Sequence, residues 1–583
     1  MAFGAAAACY YWFNSAPPPE PESQFASFVD NRELYEPDGV ESVTSYPPMD
    51  AAVPYSTMMP GTYPIPKPTR ALKLKYNFSP SGRISSRYYT AYISHDVPIY
   101  AHANNEYNLR ATMDLRVLKC TIMSGPEQET AWRSVGIHLL RDIAAQGYYV
   151  PPWEDMVYEW LNGYSSDKYL RMLRATEDMK GVNPQNDWVY QSSMFVKDEV
   201  LMKHKPRPII NVNPIVQAMV GPLLIGVARN MKDYFNRPDR YVYDNGTMTI
   251  YIRYCSSSTD EELTSMRRVS DELLRGLQVS EYEFDFSTYD RSQSTGALKA
   301  EFRFLQSFGL SKKDTDILWR MFTANIRVGK VDVLLGLISE PLRTTGGPDT
   351  TPGNGSSSIL SHFEVICRLV RSYLQYRRII VVLMVAGDDT HLLVGTSGGP
   401  PLDAVRFVEE YTHEMATLGF TITGGNVPLG SGSFLKGLWY PTEEGLVWGP
   451  TPSRILKIGK ALKDLRLTTK TTRGMTYCER VAAHAASVAN GYASMLQVPL
   501  IRGYVERWAG PVSLFSDPDA KYKTSSTGRY ANTAIDEVAT YNMLASRYGE
   551  DHDWVGLEQI YRTCDLFTHI RHPIFHALHV VDY

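Results

Sequence analysis

The chain has 583 residues and a mass of 65.8 kDa, enough for about three to five domains or lobes. Hydrophobic residues make up 44% and charged residues 21%, the balance of an ordinary globular protein. Lys plus Arg is 59 against 63 Asp plus Glu, a net charge of -4, which excludes a uniformly basic nucleic-acid binder but leaves room for a local basic channel.

The segment Phe3–Phe13 is apolar but too short to span a membrane, and it lacks the basic flank of a signal peptide. It reads as a strand or an N-terminal anchor packed on the body, with a peripheral membrane contact as the alternative. Residues 17–68 hold 12 of the 36 prolines, so an extended arm is expected there. From 127 to 180, Trp, Leu and Met recur at helical spacing with a break at Gly163. Residues 195–211 turn basic. Tyr282–Phe286 has strand character, and 297–308 follows as an amphipathic helix. Residues 345–358 are small, polar and Gly-rich, a loop before the apolar helix Ile359–Val370. Residues 379–394 predict strand, tight turn, strand, and 402–418 predicts a helix ending at Gly419. The last 140 residues mix helical patterns with basic residues. Nowhere do about 18 apolar residues run together, so no transmembrane segment is expected. The six cysteines are scattered without a CxxC pair, which argues against a disulfide framework or a thiolate zinc site.

Three pieces carry chemistry. Asp285 and Asp290 flank the end of the predicted strand, suited to holding a metal and meeting a substrate hydroxyl; alternatively, Asp290 caps the next helix. The 345–358 loop can bring backbone close to a ligand, or it can be a plain linker. Gly387-Asp388-Asp389 places two adjacent acids on a hairpin turn, tolerable in solvent or beside a divalent cation.

In order, the pieces run D-x4-D, then [S/T]-G-x3-T-x3-N, then GDD between strands. This pattern resembles motifs A, B and C of the palm of viral RNA-dependent RNA polymerases of positive-strand type, with a flavour of the tombus-, noda- and alpha-like groups. Thr345 stands where Ser is commoner. Phe195–Val200 with Lys203, Lys205 and Arg207 resembles the basic motif F, and Phe434-Leu-Lys-Gly437 resembles motif E. The likeness covers roughly residues 190–440.

The resemblance implies an α+β right-hand fold with fingers, an antiparallel-sheet palm and a mostly helical thumb. The arm would cover 1–75 and the fingers 76–280. Motif A would fall at 281–298, an insertion at 299–340, motifs B to E at 341–440, and the thumb with its tail at 441–583. It implies an RNA-directed RNA polymerase using two Mg²⁺ (or Mn²⁺) ions. Asp285, Asp388 and Asp389 would be catalytic and hold metal, Phe286 adding only its carbonyl. Lys197, Lys203, Arg207, Asp290, Thr350 and Asn354 would bind the NTP, with Asp290 and Asn354 reading the ribose 2′-OH. Gly346, Lys436, Arg454, Lys457 and Lys460 would meet template or product RNA. The implied partners are RNA, NTPs and other viral replication proteins. The implied place is a replication complex in host cytoplasm, membrane-associated through partners.

One departure concerns the proton donor. No lysine lies between Thr390 and Phe434, so His413, Lys436 or metal-bound water would have to replace the family's usual lysine. The histidine-rich tail either packs on the body or folds back to the catalytic cavity and regulates initiation. The rivals are a reverse transcriptase, an inactive RNA-binding scaffold and a two-metal nuclease.

Overall fold

The computed structural model describes three short strands between residues 85 and 102, then 126–164, 166–197, 200–201, 206–328, 331–334, 343–373, 375–454, 534–550, 552–563 and 570–582, with a few positions between them. The segment Phe3–Phe13, the proline-rich arm, Lys203, Lys205, Lys457 and Lys460 lie outside the described residues.

The helical pattern over 127–180 divides into four helices rather than two: Pro126–Ser134, Ile137–Ala145, Trp153–Asn162 and Ser166–Met179. Gly136 and Gly147, at φ of 65° and 68°, end the first two, a conformation that favours glycine. The basic segment folds as an antiparallel pair, β1 (Ser192–Val196) and β2 (Pro208–Asn211). Next comes α1 (Pro214–Phe235), apolar on nearly every side and correspondingly buried. Asn213 caps it, accepting from the Ile215 amide.

The main sheet is built from β3 (Met248–Tyr254), β4 (Gln278–Phe286), β5 (Arg378–Ala386), β6 (Asp389–Ser397) and β7 (Ile422–Val427). The strand order is β7-β4-β6-β5-β3, with Tyr243–Asp244 at the far edge. The sheet is mixed rather than antiparallel throughout, because β5 pairs parallel to β3. It also draws in Met248–Tyr254, so the sequence boundary at residue 281 cuts through a single sheet.

The run Ile379–Ala386 is apolar at every position because both of its faces are covered. Ile379, Val381, Leu383 and Val385 face the cluster built with α2 (Thr350–Leu369) and α3 (Ala404–Thr417). Ile380, Val382 and Met384 join clusters on the other face, against Leu263 and Leu274 at a helix over Asp260–Leu273 and against Trp439 and Trp448. The tryptophans belong to a hairpin, β8 (Gly437–Thr442) and β9 (Gly445–Pro450), whose first strand straddles the expected palm–thumb boundary.

β4 alternates differently. Tyr282, Phe284 and Phe286 enter the aromatic core, where Phe284 stacks on Tyr411 with centroids 4.8 Å apart. Glu281, Glu283 and Asp285 take the other face. Glu281 is fully buried and accepts from the Gly430 amide at 2.7 Å, the Gly432 amide at 3.0 Å and the Arg267 guanidinium at 3.2 Å. Burial alone would raise its pKa, but His391, Arg267 and the Gly430 amide together bring it below the usual value.

At the C-terminus, α4 (Glu537–Tyr548) and α5 (Pro573–Asp582) pack together. Ile574, Phe575 and Leu578 are fully buried, so the tail packs on the body. His572 precedes α5 and its Nδ1 accepts from the Ile574 amide at 3.3 Å.

Candidate active site

Three acids meet at one end of the sheet. β5 and β6 form a hairpin whose last pair is Ala386 opposite Asp389, leaving Gly387 and Asp388 as the turn. Gly387 has φ of 67°, as a primed two-residue turn with glycine first requires. Thr390 lies opposite Phe284, so the acids of the turn lie next to Asp285 near the end of β4. Asp285 and Asp388 are exposed to solvent, whereas Asp389 is partly buried.

Burial, then the charges of Asp388 and Asp285, push the Asp389 carboxyl up to about 7, with Lys436 opposing. Asp285 is raised as well, by the protein around it and then by Asp388. The Phe286 amide, Lys436 and Arg207 pull it back. The Phe286 side chain is buried against Tyr289, His362 and Phe420, leaving only its backbone for the cleft.

The second acid of the D-x4-D pattern is separated from the first by a bend. Thr288 adopts φ of 56°, uncommon for a β-branched residue, and the turn Tyr289–Ser292 follows. Asp290 caps nothing here, since Ser294 caps the helix over Thr295–Ser307. Instead Asp290 Oδ1 accepts from the Asn354 amide at 3.0 Å. Burial raises the Asp290 pKa, and the Asn354 hydrogen bond, Arg343 and Arg207 moderate the rise.

The Gly-rich segment is only partly a loop, because helix α2 starts at Thr350 and contains Asn354. Its small residues serve close packing. A Cβ on Gly355 would stand 2.8 Å from the Tyr254 ring, and one on Gly353 would collide with Glu301 and Arg343. The Thr350 hydroxyl donates to the Thr344 and Gly347 carbonyls, both at 2.9 Å, in the turn that starts the helix. The close approach that Gly346 permits is to β2: its amide donates to the Ile210 carbonyl, which a Cβ would approach to 2.5 Å. The Thr345 hydroxyl accepts from the Ile210 amide at 2.9 Å, tying the loop to the basic hairpin.

On that hairpin the Lys197 amide donates to the Arg207 carbonyl at 2.8 Å, so the two residues face each other at the open end of β1 and β2. Arg207 acts on both Asp285 and Asp290. Lys436 acts on Asp285 and Asp389 from a tight turn between Phe434 and Gly437. In that turn Leu435 and Lys436 both take left-handed conformations, φ 53° and 57°. His413 is exposed on α3, the helix covering the aromatic face of β4, and so lies away from the acids. Arg454 lies in the turn Pro452–Arg454 beyond the β9 strand.

Sequence reading missed the buried polar layer behind the site. Arg343, Glu301, Asp349 and Gln293 are all fully buried. Arg343 pairs with Asp349 at 2.7 Å and with Glu301, and its Nε donates to the Gln293 carbonyl at 2.8 Å. The available signals were an arginine two residues before Thr345 and an acid within an otherwise apolar helical stripe at Glu301.

No group of three or more His, Cys, Asp or Glu side chains is gathered to hold a metal among the described residues. Mg²⁺ does not require such a cage, because it takes one or two carboxylates plus water and phosphate oxygens. Asp285 and Asp388 provide hard oxygen donors of that kind; burial first, and then the neighbouring acids, raise the Asp285 and Asp389 carboxyls, and a dication would relieve the part due to charge. No helix among the described residues is long and apolar enough to cross a membrane. No family's sequence profile matches the chain, and no curated protein matches it.

Proposed function

We propose that this protein is a template-directed RNA polymerase that extends RNA from nucleoside triphosphates in the replication of a viral RNA genome. The viral setting and the replication partners follow from the motif resemblance. The observation that carries the reading is the convergence of Asp285 with Asp388 and Asp389 at one sheet end, beside a hydrogen-bonded Asp290–Asn354 pair.

Asp285 and Asp388 would hold divalent ions of the Mg²⁺ class, which when bound stabilise the attacking and leaving oxygens of nucleotidyl transfer. Arg207 meets triphosphate oxygens, its planar fork suited to pairing with two of them. Asp290 and Asn354 take the sugar hydroxyl, and a substrate lacking that hydroxyl leaves their polar groups unmatched. Lys436 lies near the acids and offers positive charge to phosphate oxygens of substrate or RNA.

The test is RNA synthesis by purified protein on a short single-stranded RNA template with NTPs and Mg²⁺ or Mn²⁺, with Asp388→Ala alongside. Template-length product that disappears in the variant is expected. Folded wild-type protein that binds RNA but forms no product, primed or unprimed, sinks the reading.

A further inference from the structure

By shape alone the Asn354 amide could sit in either orientation, since its oxygen and nitrogen ends are nearly the same size. The polarity of the surrounding hydrogen bonds removes that freedom. The Arg343 guanidinium can only donate. Its Nε lies 2.8 Å from Gln293, so the atom it meets is the Gln293 carbonyl oxygen. The other end of Gln293, its NH₂, then points at Asn354 at 3.1 Å, where it requires an acceptor. That acceptor is the Asn354 oxygen, which turns the Asn354 NH₂ toward Asp290 at 3.0 Å. The chain of bonds runs one way, from a fixed cation to a carboxylate.

This layer is sealed. Gln293 and Arg343 are fully buried, and Asn354 is 7% exposed. The Tyr289 hydroxyl holds the Asn354 main chain through its carbonyl at 2.9 Å. Arg343 itself is held by Asp349 and Glu301. Water therefore has little access to correct a reversed amide.

The orientation decides what a ligand meets. With its NH₂ outward, Asn354 retains a second N–H, and Asp290 retains acceptor lone pairs. A hydroxyl can accept from the first and donate to the second. With the amide reversed, two acceptors would face each other and the ligand hydroxyl would find no donor.

We infer that Gln293 is a positioning residue that fixes the amide orientation of Asn354 and thereby sets discrimination between ribo- and deoxyribonucleoside triphosphates; the inference rests on the polymerase reading above. Gln293 does not touch substrate and acts through Asn354.

The test uses the full chain in single-nucleotide extension of a primed RNA template, comparing kcat/KM for ATP with that for dATP. In Gln293→Glu the new carboxylate satisfies Arg343 but presents only acceptors to Asn354, so it favours the reversed amide. The ATP/dATP ratio is expected to fall by about tenfold or more, with the loss falling on ATP and dATP incorporation largely kept. Gln293→Met keeps the length without the hydrogen bonds and is expected to give a smaller fall in the same ratio. Melting curves accompany both variants, and if Gln293→Glu does not fold, the methionine variant decides alone. A folded variant with a ratio within twofold of wild type, or with equal losses on both nucleotides, overturns the role of Gln293 alone. A wild type that forms no Asp388-dependent product overturns the polymerase reading and this inference together.

Discussion

Thr390 lies directly opposite Phe284, and its hydroxyl donates to the Phe284 carbonyl at 2.9 Å. This cross-strand bond is buried and ends the β4–β6 ladder, while Asp389 still pairs with Ala386 and Asp285 with Thr423 on the neighbouring strands. The crowding of the acids is thus built into strand pairing rather than left to a mobile loop.

The burial and crowding of Asp389 have a thermodynamic sign. Asp389 holds its proton up to about 7, against an ordinary value of 3.8. Between those values the folded state binds its proton more tightly than the unfolded chain, so the contribution of Asp389 to stability falls as pH rises from about 4 to about 7 and then levels off. Asp389→Asn should remove that contribution, giving a shallower profile in metal-free buffer and a higher melting temperature than wild type at pH 8. Added Mg²⁺ should then raise the wild-type melting temperature more than that of the variant. Identical pH profiles for the two proteins would show that Asp389 is not under charge pressure.

His362 gives the opposite slope. It is fully buried, its Nδ1 lies 2.5 Å from the Tyr411 hydroxyl, and burial lowers its pKa to about 3 from the usual 6.5. Below about 6.5 the unfolded chain takes up a proton that the folded chain refuses, so the contribution of His362 to stability falls as pH drops toward 3. His362→Gln should flatten this part of the acid limb, measured by urea unfolding between pH 4 and 7. An unchanged limb would place the acid sensitivity elsewhere.

Lys436 tests function against strain. Its left-handed backbone costs roughly 1–2 kcal/mol in a non-glycine residue, and its exposed side chain contributes little packing. Lys436→Gly should therefore raise stability by about 1 kcal/mol while lowering RNA extension severalfold, because the cation beside Asp285 and Asp389 is gone. Thermal melting and extension assays read the two effects separately. A variant that is less stable yet fully active would reverse both assignments.

The tail is tied to β4 through Arg547. Its guanidinium pairs with Asp582 at 3.2 Å and approaches Glu283 at 3.9 Å, and the Tyr548 hydroxyl donates to Asp582 at 2.9 Å. Arg547→Ala leaves partly buried acids underpaired and should cost about 3 kcal/mol. Limited proteolysis should then cut near α5 sooner than in wild type. Wild-type resistance in the variant would mean that Ile574, Phe575 and Leu578 hold the helix unaided.

The parts legible in sequence were those governed by short-range patterns. The apolar run before Gly387 and the carboxylates after it announced the hairpin, and the i to i+4 spacing announced α3. The pairing of Asp290 with Asn354, 64 residues apart, was legible only through motif resemblance, because no local pattern encodes a contact at that range. The start of α2 was misplaced because its small residues look like a linker until Tyr254, Glu301 and Arg343 are known to press against them. Glu301 and Arg343 were missed for a related reason. A buried polar residue resembles a surface one until its partners are found.

The alternation along β4 has a consequence for how the sheet assembles. A slip of one residue would carry Glu281, Glu283 and Asp285 into the layer of Phe407 and Tyr411 and turn three aromatic rings onto the face now taken by the acids. Ionised carboxylates forced into that layer would each cost several kcal/mol. A misaligned sheet would therefore be rejected while the chain is still folding. The acids that would do the chemistry also act as proofreaders of their own alignment.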